Sequence, residues 1–230
     1  MSSNLRIFVP TALQAVFGRL RSRLEAETRM SVTQLVDLNP VIPERISAGE
    51  TYDVGITNPN YALELTRNGH ADAASHHAFG RVPLAVARRI GANNSVRTKV
   101  KELKALFREA ESVAFTGSGT SGRTYLKVVE RLNLVETVIP KSRSMGAGEP
   151  VTAVANGEVE LAVAPLTTVL SSPGVVPAGV FPEELGTHID MSIFLRTKTQ
   201  IGAATVLAFL TASELDQELA EAGITRFELS

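Results

Sequence analysis

The stretch SVAFTGSGTSGRTYLKVVERL, Ser112 to Leu132, decides how the chain is read. Four β-prone residues, Val113–Thr116, run into Gly117, Gly119 and Gly122, and a helical pattern follows from Thr124 to Leu132. Strand, glycine turn and helix in that order bring the turn to a helix N-terminus, where unpaired N–H groups and the helix dipole favour negative charge. Taken alone, the G-x-G-x-x-G spacing matches a dinucleotide-binding turn. That reading also requires a carboxylate at the end of the next strand, about 20 residues on. The next strand is expected at Thr137–Ile139, and Pro140-Lys141-Ser142-Arg143 after it hold no acid, although Lys141 and Arg143 could meet a 2′-phosphate. Ser118, Thr120 and Ser121 add hydroxyl donors between the glycines, which suits a compact anion. The plainest alternative is a strand-to-helix connection capped by Ser121.

Outward from this unit, β-branched runs alternate with helical patterns, as in an α/β fold with mostly parallel strands. Leu5–Val9 reads as a strand, and Leu13, Val16, Phe17, Leu20 and Leu24 mark one apolar face of a helix. A strand at Val32–Val36, a helix to Ser47 and a strand at Asp53–Thr57 follow. The next helix should start at Asn58-Pro59 and stop at Asn68-Gly69, with glycine in the left-handed cap. After a strand at Val82–Arg88 and a helix through Val100, Leu103, Leu106 and Phe107, the order recurs. Val113–Thr116 is a strand, Arg123–Leu132 a helix, Thr137–Ile139 a strand, Pro150–Asn156 a helix and Leu161–Ala164 a strand. ERISAGETYDVGIT and TAVANGEVELAVAP each read as a helix end, a Gly-Glu turn and an apolar strand. Past the strand Asp190–Arg196, helices are expected at Thr205–Thr211 and Leu215–Ala222.

Two long strand-like segments, Val82–Arg88 and Asp190–Arg196, bracket the second half. The expected architecture is therefore α/β, with two lobes of mostly parallel sheet flanked by helices and joined by two crossing strands. Residues 1–80 plus 193–230 would form the first lobe and residues 81–192 an inserted second lobe. Open sheets of this kind bind ligands at their strand ends, here expected in a cleft between the lobes.

The totals set bounds on function. At 230 residues with 44% hydrophobic composition, the chain can bury a sizeable core. A net charge of -1 argues against nucleic acid, and no apolar run reaches membrane-spanning length. Zero cysteines exclude disulfides, thiolate metal sites and a cysteine nucleophile. No His-x-x-x-His or Glu-x-x-His spacing supports a metal, so neither metal nor cofactor is expected. MSSNLRIFVP lacks a basic start and an apolar signal core, pointing to the cytoplasm, or to the periplasm if the chain is a mature form with an added Met.

Several stretches together resemble the type II periplasmic-binding-protein fold, and specifically the molybdate-binding-protein family. IFVPTALQAVFGRL resembles its opening strand, turn and helix, and ERISAGETYDVGITN its helix, Ala-Gly turn and Asp-Val strand. GRVPLAVARRIGA resembles its crossing strand. SVAFTGSGTSGRTYLKVVERLNLVETVIPKS and EPVTAVANGEVELAVAPLTTVL resemble its second lobe. The second-lobe wording is similar to a subgroup that includes aconitate isomerase. Ala12 stands where the molybdate binders carry a serine, Asn39-Pro40 at their second Ser-Gly turn, and Pro165 near their tyrosine. These departures point away from molybdate or tungstate itself. Ser121 and Gly122 match the family's backbone-amide contact.

Two main functions follow. The first is a small-anion binder of the solute-binding type, with Thr11, Asn39, Thr57, Asn58, Ser118, Thr120 and Ser121 as donors. The amides of Ala12, Gly119 and Gly122 would assist, and Arg81 would supply a charge. Asn39-Pro40, Asn58-Pro59 and Thr11 also read as helix caps. The second is an isomerase of a polycarboxylate, with Asp37, Glu149 or one of His76, His77 and His188 as conceivable bases. A nicotinamide enzyme is the third. A small anionic ligand is the expected partner, with neither nucleic acid nor membrane insertion, and a transporter partner is disfavoured without a signal peptide.

Overall fold

The computed structural model describes residues 4–91 and 95–229, so Met1–Ser3, read above for a leader, lie outside the described residues. The chain divides into two compact units, residues 1–81 with 190–230, and residues 82–189. In chain order the first contains β1 (Asn4–Pro10), α1 (Gln14–Thr28), β2 (Ser31–Asp37), α2 (Val41–Ser47), β3 (Val54–Thr57) and α3 (Pro59–Arg67). Strand β4 (His77–Arg89) leads into the second unit, which adds α4 (Val100–Glu109), β5 (Val113–Thr116), α5 (Thr120–Arg131) and α6 (Val135–Val138). There follow β6 (Ser142–Met145), α7 (Glu149–Asn156), β7 (Leu161–Pro165), α8 (Leu166–Ser171) and β8 (Val175–Val180). Strand β9 (His188–Leu195) returns to the first unit, which closes with α9 (Gly202–Thr211) and α10 (Asp216–Glu221).

In the first unit β1 pairs in parallel with both β2 and β3, and β3 pairs antiparallel with β9. Pro10 lies level with Asp37, and continuing the Phe8–Gly55 register puts Thr57 level with Pro10. The carboxyl ends of all three strands therefore share one edge. Phe8, Ile42, Ile46, Tyr52, Ala62, Leu65 and Phe194 form a buried layer on one face. The predicted helix stripe Val16, Phe17, Leu20 and Leu24 is buried in full, as its 3.6-residue period requires.

In the second unit β5 pairs in parallel with β6 and β7, while β4 pairs antiparallel with β7 and β8. Its core is made of small residues, with Ala85, Ala87, Ala114, Ala153, Ala162 and Ala164 among Val151, Val154 and Val169. Short side chains let α7 lie close to the sheet. Burial pushes the Tyr125 hydroxyl up to about 12, opposed by its hydrogen bond with Ser142 at 3.0 Å.

Three expectations differ from the structure. Thr137–Ile139 is not a strand: α6 and a 3-10 turn over Ile139–Lys141 occupy it. Val138 is buried and its N–H bonds to Leu134 O at 2.8 Å, so helical packing overrides β-branched propensity. The strand is instead the polar SRSM, Ser142–Met145, last in its sheet, where one-sided pairing leaves little apolar signal. Strand β8 escapes a sequence reading because VVPAGV contains proline and glycine. The register of its pairing with β4 shifts between Val86 and Ala87, opposite Pro177, as an irregular ladder tolerates proline. Finally, α5 starts at Thr120, three residues before the expected Arg123.

Asp53 is 8% exposed and binds the first unit together. Its Oδ2 accepts from Arg6 N–H at 2.8 Å and from Gln200 Nε2 at 2.9 Å, joining β1 to the segment after β9. Asp53→Ala would strand both donors and should cost about 2 kcal/mol. A lower urea midpoint at unchanged slope is the expected result, read by circular dichroism.

Candidate functional site

The shared strand edge of the first unit gathers most of the residues predicted there. Thr57 ends β3 fully buried, and its Oγ1 donates to Asn39 O at 3.1 Å and lies 3.3 Å from Asn39 Oδ1. Asn39 is itself buried. It is not the cap expected, because α2 begins one residue later, with Pro40 at the N-cap. Thr11 is not a cap either: it lies within a 3-10 turn, Thr11–Leu13, whose N-cap is Pro10. Thr11 and its neighbour Ala12 are half-buried directly after β1.

Asn58 does occupy the α3 N-cap with proline next in line, but its side chain does not cap. Asn58 Nδ2 donates instead to Asp190 O on β9, at 2.8 Å. Arg81, expected as a presented charge, is bound bidentately by the Asp190 carboxylate, at 2.7 and 3.0 Å. Asp190 is thus a residue the sequence reading missed. A lone aspartate in a predicted strand carries no signal of its partner 109 positions away. Ser192 was missed as well: it lies opposite Thr57 in register, fully buried, and its hydroxyl has no hydrogen-bond partner among the described residues.

In the second unit the glycine turn follows β5 and leads directly into α5. Gly119 is the N-cap of α5 and makes no side-chain cap hydrogen bond. Ser118 is exposed, Thr120 half-buried and Ser121 buried, in the second helical position and not at the cap. Gly122 lies inside the helix. A Cβ there would stand 1.9 Å from Thr116 O, so only glycine lets the helix approach the end of its own strand. A Cβ on Gly117 would meet Ser144 Oγ at 2.1 Å. The turn is therefore compact because of two close approaches.

The corrected strand also changes the dinucleotide argument. Parallel register puts Ser142 level with Val113, at the opposite end of β5 from the glycine turn. Lys141 and Arg143, weighed as phosphate partners, accordingly sit away from it. Lys141 Nζ donates to Arg108 O at 2.9 Å and Arg143 Nη1 to Glu158 O at 3.4 Å. The strand ends at Met145, and the following acid, Glu149, accepts from Gly146 N–H at 2.7 Å.

Two of the five conceivable bases, Asp37 and Glu149, are held in hydrogen bonds. Asp37 Oδ2 accepts from Arg45 at 2.9 Å and its Oδ1 from Leu38 N–H at 2.9 Å. His76 is half-buried, and burial, then the neighbouring His77, holds its pKa below the usual imidazole value. Its Nε2 has no hydrogen-bond partner among the described residues. His77 is exposed at the start of β4, and His188 half-buried at the start of β9. Among the described residues no group of three or more His, Cys, Asp or Glu is arranged to hold a metal ion, and no helix is long and apolar enough to cross a membrane.

A mixed α/β chain with helix-flanked sheets, whose strand ends lead into hydroxyl- and glycine-bearing turns, is a periplasmic-binding-protein-type fold. The chain belongs to the family of bacterial extracellular solute-binding proteins, whose family model matches residues 5–225. It is 25% identical over 191 residues to an aconitate isomerase from Pseudomonas sp., covering 82% of this chain and 72% of that one. In fold it resembles the Azotobacter vinelandii periplasmic molybdate-binding protein, at TM-score 0.77 and 14% identity, over 96% of this chain and 98% of the other. It also resembles the tungstate-binding protein TupA from Desulfovibrio alaskensis G20, at TM-score 0.68 and 8% identity, over 99% and 100%.

Two alanine substitutions should move stability in opposite directions. Gly122→Ala forces backbone out of place and should cost about 1–3 kcal/mol. Gly18→Ala on α1, where a Cβ meets nothing within 4 Å, should stabilise by about 0.5–1 kcal/mol. Thermal melts of the two variants beside the parent check both.

Proposed function

We propose that the protein binds a small carboxylate or oxyanion at the strand-end turns. Thr11, Ala12, Asn39, Thr57, Asn58 and Arg81 serve in the first unit, and Ser118, Gly119, Thr120, Ser121 and Gly122 in the second. The observation that carries this reading is the start of α5. A twelve-residue helix begins at a glycine, without a cap side chain and with a buried serine in its first turn. N–H groups so arranged stabilise an anion through hydrogen bonds and the helix dipole together. Membership in a solute-binding family supports the reading at the level of class, and the molybdate- and tungstate-binding neighbours share its fold. Ala12 and Asn39 in place of hydroxyl-bearing turns favour an anion other than molybdate or tungstate.

Calorimetric titration with molybdate, tungstate, sulfate, phosphate, acetate, succinate and citrate tests the proposal. Saturable binding is expected for at least one of them, with a rise in melting temperature. Ser121→Ala should weaken that affinity roughly tenfold, as the loss of one hydrogen bond to a charged group predicts. If no anion in the panel binds at millimolar concentration, the reading falls.

A second reading, conversion of a bound polycarboxylate, is favoured by the resemblance to an aconitate isomerase over 82% of the chain. Moving a double bond next to a carboxylate needs a group that can accept and return a proton. Among the residues named from sequence, His76 has its pKa lowered by burial and carries a ring nitrogen with no hydrogen-bond partner among the described residues. Incubation with cis- or trans-aconitate, followed by chromatography, should show interconversion that His76→Gln removes. Absence of turnover in the parent protein leaves binding alone. Cell fractionation of the native host separates the two compartments weighed from the sequence, cytoplasm and periplasm.

A further inference from the structure

Arg81 is the one formally charged side chain among the residues assigned to binding, and it is not presented as a bare cation. Its Nε and Nη2 donate to Oδ1 and Oδ2 of Asp190 at 2.7 and 3.0 Å, the planar fork-to-fork geometry that fixes a guanidinium in place. The guanidinium carbon lies 5.4 Å from the centre of the Phe227 ring. The backbone carbonyl of the same Asp190 accepts from Asn58 Nδ2 at 2.8 Å. One residue therefore aligns two of the assigned groups, Arg81 through its side chain and Asn58 through its main chain. All four residues belong to the first unit.

We infer that Asp190 is a positioning residue that sets the charge selectivity of the first unit's site, an inference that rests on the anion-binding reading above. Paired with Arg81, it offsets the guanidinium's charge. An anion then gains little from net attraction and is chosen by how its oxygens meet oriented N–H and hydroxyl donors. The ligand class is a compact anion recognised by oxygen geometry, not a polyanion recognised by charge. Loss of the Asp190 carboxylate removes one negative charge beside Arg81, and the resulting gain in attraction grows with each charge the ligand carries.

The test compares acetate, succinate and citrate, which carry increasing charge at neutral pH, by calorimetric titration at low and high salt. In Asp190→Asn the citrate affinity should rise roughly tenfold relative to acetate, and salt should abolish the gain. Arg81→Gln removes one positive charge beside Asp190 and should shift the ranking the other way, which gives a second route if Asp190→Asn does not fold. The double variant, neutral like the parent pair, should return to the parent ranking. If Asp190→Asn and Arg81→Gln each change acetate and citrate affinity by the same factor, Asp190 is a brace only and the inference is overturned. Failure of the parent protein to bind any of these anions or molybdate would instead sink the anion-binding reading itself.

Discussion

Parallel pairing in register is the constraint on which the rest of the structure depends. Two parallel neighbours cannot be joined by a tight hairpin, so each connection crosses over and carries a helix. In the first unit this aligns Pro10, Asp37 and Thr57 on one edge. In the second it aligns Thr116 with Met145 and Phe115 with Val163. The turns that follow therefore collect at one edge of each sheet, although they are scattered along the chain.

Close approach then shapes these turns. Gly122 sits where any side chain would strike Thr116 O, and Gly117 where it would strike Ser144. The glycines that look like a nucleotide fingerprint thus have packing reasons for their positions. Glycine at the N-cap of α5 leaves its first-turn amides without a cap side chain. In the first unit the polar groups are used differently. Thr57 bonds to Asn39, Asn58 bonds to Asp190, and Asp190 holds Arg81. The turn of the second unit leads into helix amides, whereas that of the first unit is a hydrogen-bonded frame of polar groups.

Family membership agrees with the binding of a solute as a class, while likeness of fold leaves room for differences in the residues at the strand-end turns. The fold is shared at 14% identity with a molybdate binder, yet the serine of that family's opening turn is Ala12 here. Charge compensation at Arg81 links residues 109 positions apart.

The sequence by itself determined the α/β order, the two crossing strands and the glycine turn, because those features rest on local periodicity and on turn chemistry. Leu5–Val9, Val113–Thr116 and the stripe Val16, Phe17, Leu20 and Leu24 were legible for that reason. The polar strand Ser142–Met145 was not, since an edge strand needs no apolar alternation. Neither was the helix at Val135–Val138, where burial of Val138 outweighs the β preference of its neighbours. Only the tertiary structure decided that Asn39 and Thr11 are not caps, that Asn58 reaches β9, and that Asp190 neutralises Arg81. Hydrogen bonds and ion pairs between distant segments leave no period in the sequence, and the site's electrostatics depend on them.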